Sequence, residues 1–159
     1  MSKSVHIEPS VPSAYVSHRT DPGSLYRRKL TREWWEKEAH RYDLVTSEAT
    51  LNELRSGSYP GQQEAIGLVQ NLPLLEVGEE AQRIAELYIR HHVMPDEDAG
   101  DAAHLALASI HEVDYLLTWN LRHLANPNKV EHITVINRRL GLLTPVILSP
   151  ELLWAEEGA

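Results

Sequence analysis

Ala102-Ala103-His104-Leu105-Ala106-Leu107-Ala108-Ser109-Ile110, followed after a short break by Asp114-Tyr115-Leu116-Leu117-Thr118, is the stretch whose reading decides the fold. The first segment is apolar around most of a helical surface, which marks a central, covered helix. The second is a short, nearly continuous apolar run, the pattern of a strand buried on both faces of a parallel sheet. The same alternation extends outward along the chain. Val5-His6-Ile7 reads as a first strand, Tyr42 to Thr46 as a second, and Thr144 to Leu148 as a last. Leu72 to Val77 is a further strand candidate, broken early by Pro73. Strand–helix alternation of this kind predicts an α/β fold with a parallel sheet covered by helices on both faces.

The intervening segments read as helices. Pro9 to Ser13 form a turn that leads through Ala14, Tyr15 and Val16 into a short helix, and Asp21-Pro22-Gly23 punctuate the chain. Leu25 to His40 carries Leu30, Trp34 and Trp35 on one helical face. Ser47 is an N-cap for Glu48 to Arg55. Tyr59-Pro60-Gly61 opens a helix that runs to about Gln70, and Gly78-Glu79-Glu80 opens another that Pro95 ends. Asp98 begins the central helix, and Leu121 to Leu140 is helical with a break at Pro127. A single domain over residues 1–159 is expected, with no internal repeat and no linker.

Composition narrows the chemistry. With no cysteine in 159 residues, disulfides and thiolate metal sites are excluded, and a reducing, cytoplasmic setting is expected. The opening Met-Ser-Lys-Ser has no apolar run behind it, so no secretory signal is expected. No apolar stretch approaches the roughly 18 residues of a membrane span. A net charge of −8 argues against a protein that coats nucleic acid non-specifically. Basic residues cluster only at Arg27-Arg28-Lys29 and Arg138-Arg139. The adjacent His91 and His92 cannot share a helix face, and no Gly-rich phosphate loop is present.

In an open α/β sheet, ligands gather outside the carboxyl ends of the strands. Glu8 ends the first strand, Glu53 follows the second, Asp101 heads the central helix, and Asn120 follows Thr118 at the end of the next strand. Together they would make an all-oxygen site for a hard divalent cation. Each also has a plain structural reading. Glu53 fits a solvated helix face, Asp101 a first-turn anion favoured by the helix dipole, and Asn120 a turn. His104, one turn after Asp101, reads more readily as a packed or capping residue than as a ligand. The four tryptophans read as core or interface anchors. Trp34 and Trp35, adjacent in one helix, do not easily bury both indoles in one core, so one of them is expected at an interface.

The segments Val5 to Tyr15, Leu30-Thr31-Arg32-Glu33-Trp34-Trp35, Asp101 to Ala108 and Tyr115 to Asn126 resemble the PIN-domain family, and most closely its VapC-type toxin branch from bacterial type II toxin–antitoxin systems. The resemblance implies a three-layer α/β/α sandwich with a central parallel sheet of about four or five strands. It implies a Mg²⁺- or Mn²⁺-dependent ribonuclease, paired with a cognate antitoxin and with itself. By the resemblance Glu8, Glu53 and Asp101 hold the metal, Asn120 completes or orients the site, and Ser10 and Thr118 bond the scissile phosphate or metal-bound water. Glu8 stands where the family more often has Asp, and Asn120 where it commonly has a fourth Asp. These departures leave a second expectation, a degenerate PIN module that binds RNA or a partner protein without cutting. A small-molecule phosphatase lacks a nucleophile motif here.

Overall fold

The computed structural model describes residues 2–95 and 99–155. Five strands form one sheet: β1 (Ser4–Ile7), β2 (Asp43–Ser47), β3 (Leu74–Leu75), β4 (Tyr115–Leu117) and β5 (Val146–Leu148). Their spatial order is β3-β2-β1-β4-β5. Every neighbouring pair is parallel; Val5 sits opposite both Leu44 and Tyr115, and His6 opposite both Val45 and Leu116.

Seven α-helices lie among the described residues: α1 (Ser10–Val16), α2 (Pro22–Lys37), α3 (Glu48–Arg55), α4 (Gln62–Val69), α5 (Glu79–Arg90), α6 (Ala99–Ile110) and α7 (Pro127–Leu140). A single 3-10 turn, Ala39–Arg41, joins α2 to β2. The period-2 alternation of strand side chains divides the interior into two layers. Val5, Ile7, Leu117 and Leu148 pack with Val11, Trp34, Leu51 and Leu54 from α1, α2 and α3. Leu116 and, partly buried, Val45 and Ile147 pack with Ile84, Leu105 and Ile133 from α5, α6 and α7. The molecule is the three-layer α/β/α sandwich expected of its sequence pattern.

Several boundaries differ from the sequence reading, for local reasons. Ser10 is already helical, because Pro12 falls in the first turn of α1, where a missing N–H costs nothing. Asp21 and Pro22 start α2 instead of interrupting the chain: Asp21 Oδ2 accepts from Ser24 N at 3.1 Å and Pro22 takes the first helical position. Pro127 likewise opens α7, with Asn126 as N-cap, and the residues before it form turns. β3 shrinks to two residues after Pro73. α4 begins at Gln62, after Gly61, whose φ is +84°. A Cβ at Gly61 would meet Val16 Cβ at 2.9 Å, so only glycine lets α4 close against α1. α5 ends at Arg90, well before Pro95, and His92 takes a left-handed φ of 61° in the following turn. Asp98, expected to begin the central helix, lies outside the described residues.

The two adjacent tryptophans separate by depth. Trp34 is fully buried and its Nε1 donates to the Leu153 carbonyl at 2.8 Å. Trp35 is half-buried, edge-on to Trp34 and Tyr15. Trp119 is a core residue, donating from Nε1 to Thr31 Oγ1 at 2.8 Å, while Trp154 is exposed. No helix among the described residues is long and apolar enough to cross a membrane.

Trp34 ties the segment around Leu153 to α2 by a bond that Phe cannot make. Trp34→Phe is expected to lower unfolding stability by about 1–3 kcal/mol through the orphaned carbonyl and lost volume. Trp35→Phe should cost under about 1 kcal/mol. Urea unfolding of the two variants beside the parent checks this, and equal losses would contradict it.

Candidate functional site

The chain leaves β1 and crosses to β2 and then β3 on one side; it returns to β4 on the other side of β1. The crossover direction therefore reverses between β1 and β4, and a crevice opens at their carboxyl ends. Glu8 and Ser10 follow β1 there, and Thr118, Trp119 and Asn120 follow β4. α3 brings Glu53 and α6 brings Asp101 and His104.

Glu8 is 3% exposed, so its carboxylate lies inside the protein. Ser10 holds it twice: the backbone N–H donates to Oε1 at 2.8 Å, and the hydroxyl donates to the same oxygen. With its proton committed to Glu8, Ser10 Oγ accepts from Trp119 N at 2.8 Å and takes the Thr118 hydroxyl at 3.3 Å as a second donor. Thr118 Oγ1 in turn accepts from Asn120 N at 2.9 Å. One continuous chain of donors thus runs from the end of β4 to the carboxylate after β1, each bond polarising the next. Burial pushes the Glu8 carboxyl up from 4.5 to about 7, against the opposing pull of His104 and the Ser10 bonds. Thr118 is fully buried and Ser10 half-buried, so Ser10 is the hydroxyl nearer to solvent.

Asn120 holds Asp101. Its Nδ2 donates to Asp101 Oδ2 at 2.7 Å, and its Oδ1 accepts from His123 N at 2.9 Å. A backbone N–H can only be satisfied by the amide oxygen, which fixes which end faces Asp101. The neutral oxygen ligand expected of Asn120 is therefore turned away; the residue presents a donor to the carboxylate.

Glu53, with its side chain 45% exposed, bonds His104 Nε2 through Oε1 at 2.9 Å. Gly100 makes room for it: a Cβ there would stand 2.6 Å from Glu53 Oε1. His104 is buried, and burial alone would lower its pKa. The hydrogen bond that His104 donates to Glu53 and the charges of Glu8, Glu53 and Asp101 outweigh burial and hold the ring above its ordinary value. The three carboxylates thus surround one imidazole and favour its protonated form. Beneath it lies His6 on β1, its ring edge-on to His104 with centroids 5.9 Å apart. Neither His6 nitrogen has a hydrogen-bond partner among the described residues.

The structure thus brings Glu8, Ser10, Glu53, Asp101, Thr118 and Asn120 to one crevice. The donor chemistry fits a hard cation, since Glu8 is a buried carboxylate whose ionised form a nearby positive charge would favour. Each carboxylate is nonetheless held by a protein partner: Ser10, His104 or Asn120. Among the described residues no group of three or more His, Asp or Glu side chains stands ready to hold a metal ion. Sequence reasoning assigned no role to His6 and Gly100 and undervalued His104. The one sequence signal was the i, i+3 spacing that puts His104 on the Asp101 face of α6. The two basic clusters also part company. Arg138 and Arg139 end α7, which runs back toward the amino edge of the sheet, away from the crevice. No protein-family model matches the chain, and no curated protein matches it.

Three outcomes follow from this electrostatic arrangement. His6 is held neutral, its pKa lowered to about 3 by burial and then by His104 and His111. Between pH 6.5 and 3 the unfolded chain binds a proton there that the folded chain refuses, so stability present above pH 6.5 is lost on acidification, by on the order of 4 kcal/mol. His6→Leu is expected to flatten that acid limb. Glu8 has the opposite sign: its raised pKa makes stability fall as pH rises from 4.5 to about 7, and Glu8→Gln should remove that fall. Denaturant midpoints across pH check both, and parallel profiles for parent and variants would contradict them. Asn120→Asp replaces the 2.7 Å donor with a like charge. In EDTA it should cost about 1–3 kcal/mol, a loss that shrinks as pH falls toward 4. A variant as stable as the parent in EDTA at neutral pH would refute the role given to Asn120.

Proposed function

We propose that this chain is a divalent-cation-dependent endoribonuclease of the PIN-domain kind, acting in the cytoplasm as the toxin of a type II toxin–antitoxin pair. The observation that carries the hydrolase reading is the convergence of Glu8, Glu53 and Asp101 at the β1–β4 switch point, with Ser10 at its margin. The nucleic-acid and toxin elements come from the resemblance of the four quoted segments. An antitoxin protein and a second copy of the chain are the partners on this reading.

Glu8, Glu53 and Asp101 are the side chains that would hold Mg²⁺ or Mn²⁺. Bound there, the cation would supply a water of lowered pKa and neutralise charge growing on the phosphate. The protein's own part is positioning. Thr118 and Trp119 fix Ser10, and Ser10 fixes Glu8. Asn120 orients Asp101, and His104 orients Glu53. Such supporting bonds set ligand direction and are worth about 10–100-fold in activity or affinity in metal sites generally.

A second reading has its own support. The carboxylates are each satisfied by a protein partner, as they would be in a module that binds RNA or a protein without cutting it. Purified protein incubated with RNA and Mg²⁺, Mn²⁺ or EDTA separates the two. Cation-dependent cleavage is expected, abolished by EDTA and reduced on the order of 100-fold or more by Asp101→Asn, with the fold retained. Intact RNA in every cation would decide for the non-cleaving module.

A further inference from the structure

Beside the carboxylates the surface drops into a cleft of about 350 Å³, its wall formed by Ser10 and Asn120 on one side and by Ser13, Ser17, Arg19 and Arg27 from the α1–α2 region. No carboxylate lines it among the described residues. A second hollow of about 480 Å³ shares Ser13, Ser17 and Arg19 with the first and extends past His18 to Tyr59. The two meet at these shared residues, and Ser10 and Asn120 line the first and not the second. On a chain of net charge −8 this is a local concentration of positive charge at the one place where an anionic strand would have to lie.

The neighbouring arginines are not equivalent. Arg28 spends its guanidinium on the Ser17 carbonyl at 3.1 Å, and Arg32 spends its own on the Tyr15 carbonyl at 2.8 Å. They knit α2 to the end of α1. Arg19 faces Asp21 at 3.3 Å but its side chain is 79% exposed, a geometry of little energetic weight. Arg27 is exposed, and its guanidinium makes no ion pair among the described residues. Ser17 Oγ accepts from Arg19 N at 3.3 Å, which leaves its O–H to donate outward. Forked guanidinium donors flanked by hydroxyls suit phosphate oxygens.

We propose that this cleft seats the phosphodiester backbone of a single-stranded nucleic acid, with Arg27 and Arg19 each meeting a phosphate beside the one at the carboxylates. That the strand is RNA rests on the nuclease reading above; the binding itself does not require cleavage. The test is fluorescence anisotropy of a short labelled single-stranded RNA with the whole chain at low salt in EDTA. Arg27→Gln and Arg19→Gln are each expected to weaken binding roughly three- to tenfold. Each should also reduce the slope of log affinity against log salt by about 0.7, the share of one lost single-strand phosphate contact. Arg139→Gln, at the far end of α7, should leave both unchanged. Circular dichroism confirms that the variants fold.

Parent affinity and slope in both cleft variants, or no binding by the parent, would overturn the proposal. Cleavage in Mn²⁺ that ignores both arginines would overturn it and leave the nuclease intact. Arginine-dependent binding without cleavage in any cation would keep the cleft and overturn the nuclease. DNA of the same sequence, bound equally well through the same arginines, would overturn the choice of RNA while upholding the phosphate contacts.

Discussion

The placement of β1 at the centre of an all-parallel sheet is the constraint on which the remaining structure depends. A central strand exposes no edge to water, so the backbone of Ser4–Ile7 is paired on both sides, by β2 and by β4, with the Ser4 N–H donating to the Asp114 carboxylate at 2.8 Å. Its side chains must meet a helix layer on either face. Val5 and Ile7 satisfy one layer. His6, on the other face between Val45 and Leu116, is a polar ring in an apolar setting. The reversal of crossover direction beside β1 then leaves its carboxyl end uncovered, and Glu8 is the first residue beyond it.

Two forces oppose each other at Glu8. Desolvation favours the neutral acid, while the Ser10 donors and the nearby His104 favour the carboxylate, and burial prevails. At His104 the balance reverses: burial favours the neutral ring, but the hydrogen bond donated to Glu53 and the three surrounding acids outweigh it. Both groups are thus raised for opposite reasons, Glu8 because it lacks a sufficient countercharge and His104 because it has several. This concentration of opposed preferences in a crevice is what functional sites share, and it is where the chain departs from the rule that polar groups stay in water.

Positioning follows a common scheme at the three acids. Glu53 and Asp101 are steadied by residues distant in sequence, His104 of α6 and Asn120, while Glu8 is held by its near neighbour Ser10, which Thr118 and Trp119 at the end of β4 fix in turn. Gly100 extends the scheme to the backbone, since a side chain there would occupy the space of the Glu53 carboxylate. The arginines of α2 and of the loop before it divide in the same spatial way. Those facing the end of α1 fasten helices together, and those facing the crevice remain exposed.

Strand–helix alternation, the buried central helix and the short apolar strands were legible in the sequence, because periodicity and burial are local consequences of which residues are apolar. So was the gathering of Glu8 and Asn120, since residues that directly follow parallel strands lie at one edge of the sheet, and of Asp101, which heads the helix that leads back into β4. Boundaries at Pro22 and Pro127 were misread because proline breaks a helix interior yet suits its first turn, and the local pattern does not say which applies. What only the tertiary structure decided was partnership. His104 bonds a glutamate 51 positions away. Asn120 turns its amide N–H, not its oxygen, to Asp101, because His123 N–H claims the oxygen. Hydrogen bonds are directional and short, so which end of a side chain faces which neighbour is set by the packing of whole helices, and no spacing along the chain encodes it.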